Sequence, residues 1–170
     1  MNIEQFCQHL KTVVPAVDTE RRLEILANEL AAFFGVESHE IGLFKLDERA
    51  SFATFVWPES NMGGGFKIPI KSFGASFVSS TAKKGVGQIN NTFASTSHLK
   101  MLEHTLSERE QRIPLQKIMS APCLDGEKLR WIIQVSRKGK TLEEAGPDFT
   151  EQQLSDLETV AETIAPWALD

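Results

Sequence analysis

The sequence predicts a single α/β domain with helices at both ends and strands between them. Two long segments, 18–35 and 150–168, space their apolar residues three and four apart, as a helix lying on a core does. Between them run short β-rich stretches separated by turn residues, with Asp125-Gly126 set between two apolar runs as a hairpin signal. At 170 residues and 41% hydrophobic content, one core can form without metal or disulfide staples.

In chain order, residues 1–14 form an amphipathic helix on Ile3, Phe6, Leu10, Val13 and Val14, which stops before Pro15. Asp18 is placed to cap a second helix. That helix buries Leu23, Leu26, Ala27, Leu30, Phe33 and Phe34 and ends at Gly35. Strands follow at 41–46 and 52–57, joined by Asp47-Glu48-Arg49, and at 66–70 after the glycine turn 61–65. Residues 72–84 read as a helix and 88–90 as a short strand. The polar segment 91–112 carries a helix from Ser97 with Leu99, Leu102 and Leu106 on one side. Two strands, 117–124 and 129–135, lead through a polar loop to the last helix. Thr150 and Gln153 supply its capping box, and its stripe is Leu154, Leu157, Ala161, Ile164 and Ala168, flanked by Val160. Residues 1–17 are expected as an N-terminal helix and linker, and 18–170 as the main domain.

Composition excludes several functions. Net charge is −5 with no cluster of Lys and Arg, which argues against nucleic-acid binding. The two cysteines, Cys7 and Cys123, are far apart and have no metal-spaced neighbours, so a reducing, cytoplasmic setting is expected, with no metal and no cofactor. Residues 1–10 lack an apolar signal core, and no stretch is long enough for a membrane span.

Four phrases and their order resemble the GAF domain family across roughly residues 20–168. Lys67-Ile68-Pro69-Ile70 is similar to the strand before its pocket helix. Gly87-Gln88-Ile89-Asn90-Asn91 is similar to its short strand beside the ligand. Ser120-Ala121-Pro122-Cys123-Leu124 is similar to its apolar-Pro-apolar strand, and Phe149-Thr150-Glu151 to the start of its last helix. The resemblance implies an α+β sandwich: an antiparallel sheet of five or six strands, terminal helices on one face, and a ligand pocket on the other, roofed by residues 72–112. It implies a bacterial-type signal-transduction domain that senses a small molecule, a nucleotide or other metabolite. Its last helix would lead to an effector such as a histidine kinase, cyclic-dinucleotide enzyme, HD-type phosphohydrolase or transcription activator.

Within that frame the expected ligand contacts are Phe73, Phe77, Phe93 and Met101 as apolar walls, with Asn90, Asn91 and His98 as polar anchors. The same Asn and His residues also suit turns that bond their own backbone. Cys123 is carried as a further pocket residue, although a thiol in a buried strand is ordinarily packed and inert. No catalytic residues are expected. Some small GAF proteins reduce free methionine sulfoxide with cysteines in the pocket helix and following loop, where this sequence has none. Phytochrome-type members attach a bilin through a Cys beside a His, but Ser97-His98 stands there, which excludes a thioether at that position. The phosphodiesterase-type cyclic-nucleotide pattern is not recognisable. Asn61 to Lys67 lacks the Gly-Lys-Ser/Thr ending of a phosphate loop, and His98 and His104, six apart, fall on opposite helix faces. The rival readings are a dimerisation spacer with a filled pocket and an enzyme with a nucleophilic Cys123. A homodimer is expected through the terminal helices, using Phe6, Leu10, Phe33 and Trp167 as exposed apolar positions.

Overall fold

A computed structural model of the chain describes residues 1–58, 66–71, 76–95 and 113–170. Its centre is an antiparallel sheet of six strands in the order β3-β2-β1-β6-β5-β4. The strands are β1 (Ile41–Leu46), β2 (Phe52–Trp57), β3 (Lys67–Pro69), β4 (Gln88–Asn90), β5 (Leu115–Asp125) and β6 (Lys128–Lys138). The described helices are α1 (Ile3–Val13), α2 (Thr19–Phe34), α3 (Phe77–Lys84) and α4 (Glu151–Ile164). The expected α+β sandwich is present.

Strand alternation divides the core in two. Ile41, Leu43, Met119, Ala121, Trp131, Ile133 and Val135 face α1, α2 and α4, while Phe44, Phe55, Ile118 and Ile132 face α3. The β5–β6 hairpin is longer than the sequence runs suggest, because its ladder continues into polar residues at both ends. Asp125 pairs with Lys128, so the central turn residues are Gly126 and Glu127 rather than Asp125 and Gly126. Gly126 takes φ +65°, a conformation that L side chains rarely adopt. The β1–β2 link is closed by Asp47, whose side chain accepts from the Ser51 and Phe52 amides at 2.7 Å each.

The helix layer has three members. Helix α1 begins with a capping box, Asn2 Oδ1 accepting from Gln5 N and Gln5 Oε1 from Asn2 N. It packs against both α2 and α4. Helices α2 and α4 run antiparallel, as their matching stripes suggest. Arg22 near the start of α2 donates to Ala168 O at 2.8 Å, while Phe33 and Phe34 at its end share a 430 Å³ groove with Gln153 and Asp156 at the start of α4. Arg137 donates to the Gly35 and Phe34 carbonyls and lies 4.8 Å over the Phe149 ring, placing a cation at the C-terminus of α2.

Three sequence expectations need correction here. Asp18 makes no side-chain cap bond, so α2 starts without one. The last helix ends at Ile164, since Pro166 disfavours its continuation; Ala168 is exposed and Leu169 is buried instead. Phe6 and Leu10 are not surface positions. They are 2% and 0% exposed, buried in the same core cluster as α2 and α4, with Phe6 stacked on Phe33 at 4.2 Å. Two such side chains contribute roughly 1.5–3 kcal/mol each to holding α1 on the domain. Phe33 and Trp167 are only half-buried.

Candidate functional site

The sheet face opposite the helix layer is built around one polar row. Cα partners Gln88–Ser120, Ser120–Gln134 and Gln134–Gly42 run in line across β4, β5, β6 and β1. Their neighbours Ile41, Leu43, Ile89, Met119, Ala121, Ile133 and Val135 point to the helix layer, so the row points the other way. Gly42 leaves the β1 end of the row without a side chain. Ile118 and Ile132 stand beside the row on β5 and β6, and toward β2 and β3 the bed turns apolar with Phe44, Phe55 and Ile68.

Helix α3 is laid over this row. Ser76 caps it, accepting from Ser79 N at 3.0 Å, and Gly85 ends it at φ +65°. Thr81 comes from its inner face: the hydroxyl donates to Phe77 O at 2.9 Å and lies 2.9 Å from Ser120 Oγ and 3.4 Å from Gln88 Oε1. Gln134 Nε2 approaches the same Ser120 hydroxyl at 3.4 Å. Thr81 and Ser120 are fully buried and Gln134 nearly so, which makes this a desolvated polar network rather than a solvated surface. The sequence pass missed these residues. The available signal was their parity, since Gln88, Ser120 and Gln134 alternate with apolar residues along three strands.

The expected contacts divide into three groups. Phe77 and Phe93 meet edge to face at 5.5 Å, Phe77 half-buried on α3 and Phe93 buried in the 3₁₀ turn Phe93–Ser95; both pack in the α3-side cluster. Asn90 and Asn91 stand at the end of β4, and the side chains of both are engaged by backbone groups. Asn90 Oδ1 accepts from Thr92 N at 2.9 Å, an Asx turn. Asn91 Nδ2 donates to Phe149 O at 3.0 Å and its Oδ1 accepts from Phe149 N at 2.9 Å. Phe73, His98 and Met101 lie outside the described residues, as do the 61–65 turn and the helix expected from Ser97, and the helix expected over 72–84 starts at Phe77, because Ser76 is extended and caps it.

Cys123 is not brought to this site. It sits on the opposite face, fully buried with Trp131 and Ala121 in the helix-side core. Burial pushes its thiol far above the ordinary cysteine range, opposite to what a nucleophile needs. Cys7 is buried as well. Among the described residues no group of three or more His, Cys, Asp or Glu is placed to hold a metal, and no helix is long and apolar enough to cross a membrane.

No family model matches the chain, and no curated protein matches it. Solved structures do. The GAF domain of an Acinetobacter phosphoenolpyruvate-protein phosphotransferase superposes with a TM-score of 0.69 at 13% identity, covering 97% of this chain and 92% of that one. The corresponding GAF domain from Coxiella burnetii gives 0.69 at 14%, covering 97% and 91%. A free methionine-R-sulfoxide reductase from Neisseria meningitidis, solved with its substrate, gives 0.63 at 16%, covering 98% and 85%. Such identities speak to architecture. With the sheet order, the helix layer on one face and α3 on the other, they establish that the chain is a GAF-fold domain.

Proposed function

We propose that this domain is regulatory: it binds a small-molecule signal on the pocket face of its sheet and relays it through the terminal helices to a dimer partner or effector. The observation that carries the reading is the polar row Gln88–Ser120–Gln134 beneath Thr81, half-buried at Gln88 and buried at the others, flanked by apolar side chains. A few directional polar groups in an apolar bed are what orient a small ligand. Phe77 and Phe93 form the apolar wall on the roof side, while Asn90 bonds the Thr92 amide and Asn91 fastens the end of β4 to Phe149. The likeness to the GAF domains of two phosphoenolpyruvate-protein phosphotransferases supports the regulatory class. The reductase neighbour shares the fold, but here both thiols are buried and Cys123 faces away, so catalysis is not part of the proposal. With Phe6 and Leu10 buried, the dimer contact falls to the half-buried Phe33 and Trp167.

A second reading, a dimerisation spacer with a filled pocket, is favoured by Val78 and Phe93, which are 4% and 5% exposed over the bed. A thermal-shift screen with nucleotides, amino acids and other metabolites separates the two, each hit being repeated on Phe77→Ala and Gln88→Ala. The regulatory reading expects a hit that at least one substitution weakens. A hit indifferent to both puts the ligand elsewhere, and a blank screen favours the spacer.

A further inference from the structure

We propose that β4, only three residues long, is the mechanical link through which the pocket roof acts on α4. The inference rests on the regulatory reading above and names its physical route. On the sheet β4 is an edge strand, paired only with β5, so it is held less firmly than the central strands. It is bounded by roof elements on both sides. Helix α3 ends at Lys84, its Gly85 cap stands three residues before Gln88, and the Phe93–Ser95 turn begins three residues after Asn90. The Phe77–Phe93 ring contact ties those two elements together above it.

The other side of β4 is fastened to α4 at two points. Before the strand, Gly87 N donates to Glu158 Oε1 at 2.9 Å. The approach is close enough that a Cβ at Gly87 would sit 2.6 Å from that oxygen and 2.9 Å from Leu154 Cδ1. After the strand, the Asn91 side chain completes both backbone hydrogen bonds of Phe149, imitating a strand neighbour, immediately before the Thr150 cap of α4. Between the two, Ile89 packs into the helix-side core while Gln88 reaches Thr81 on the pocket side. A shift of α3 or of the 93–95 turn therefore pulls on the first turn and the middle of α4 without passing through the sheet's interior. Asn91 and Glu158 are positioning residues in this scheme.

The test needs no ligand. Amide hydrogen exchange is followed at residues 154–158 of α4, with Leu43 and Ile133 in the central strands β1 and β6 as internal reference. Trimming the roof by Phe77→Ala is expected to change exchange in α4 by at least about threefold in the otherwise native chain, because local openings report local contacts. In an Asn91→Ala background, and separately in the milder Glu158→Ala background, the same trimming should change it less than about twofold, whatever the new baseline. Glu158→Gln keeps the acceptor and should keep the coupling. An increment equal in all backgrounds, or none in the native one, overturns the link. Either result stands whether or not the metabolite screen finds a ligand.

Discussion

Replacing Thr81 by Val keeps the shape of a fully buried side chain and removes only its hydroxyl. That hydroxyl lies 2.9 Å from both Phe77 O and Ser120 Oγ. Losing a net hydrogen bond costs about 0.5–1.5 kcal/mol, and leaving the buried Ser120 hydroxyl short of a partner costs about 1–3 kcal/mol more. Thr81→Val should therefore destabilise the domain by about 2 kcal/mol, and Ser120→Ala by a similar amount for the mirror-image reason. The double variant removes both partners, so its cost should fall short of the sum by about 1 kcal/mol. Urea unfolding followed by fluorescence of Trp57, Trp131 and Trp167 measures each corner of the cycle. Calorimetry should show about 2–4 °C of lowered Tm per kcal/mol for a chain of this length. If the single costs add to within about 0.3–0.5 kcal/mol, the two hydroxyls do not interact and the bridge between α3 and the sheet is wrong.

Gly87→Ala should destabilise by about 1–3 kcal/mol through overpacking against Leu154 and Glu158, and Glu158→Ala in the same chain should restore part of that in thermal melts. Cys123 should resist thiol reagents in the native state and react only on unfolding, since its raised pKa keeps it neutral. Its contribution to pH dependence has a definite sign. The unfolded thiol ionises above about 8.5 while the folded one does not, so this part of stability is complete below that pH and falls by up to about 1.4 kcal/mol per unit above it. Cys123→Ser should flatten that alkaline slope in denaturant titrations. Asp47 behaves in the opposite sense: the Phe52 amide first, then Ser51, holds its carboxyl below the usual range. Its support of the β1–β2 turn should persist above the ordinary carboxylate pKa and fade as pH falls through the folded one, visible as a carboxyl shift in NMR that Asp47→Ala removes.

Much of the architecture was legible because it rests on local patterns. The stripes of α2 and α4, the Thr150–Gln153 box and the hairpin signal near Gly126 each report a periodicity or a turn requirement. What escaped depends on tertiary approach. Asn91 reads as a polar loop residue until Phe149, 58 residues on, is brought beside it. Phe6 and Leu10 read as available apolar surface because a single helix does not reveal that α2 and α4 cover it. Of the expected contacts, Phe77 and Phe93 meet in the α3-side cluster, whereas Cys123, by strand parity, points into the helix-side core. The polar row stayed hidden because Ser120 and Gln134 gain meaning only once their strands are in register.

The most direct test of the account is an amide chemical-shift map taken while nucleotides and metabolites are titrated into the labelled domain. The account predicts that a binding compound moves Phe77, Thr81, Gln88 and Ser120 first, with a second set of shifts at Leu154 and Glu158 on α4. Shifts confined to Phe6, Phe33 and Asp156, around the groove in the helix layer, would contradict it.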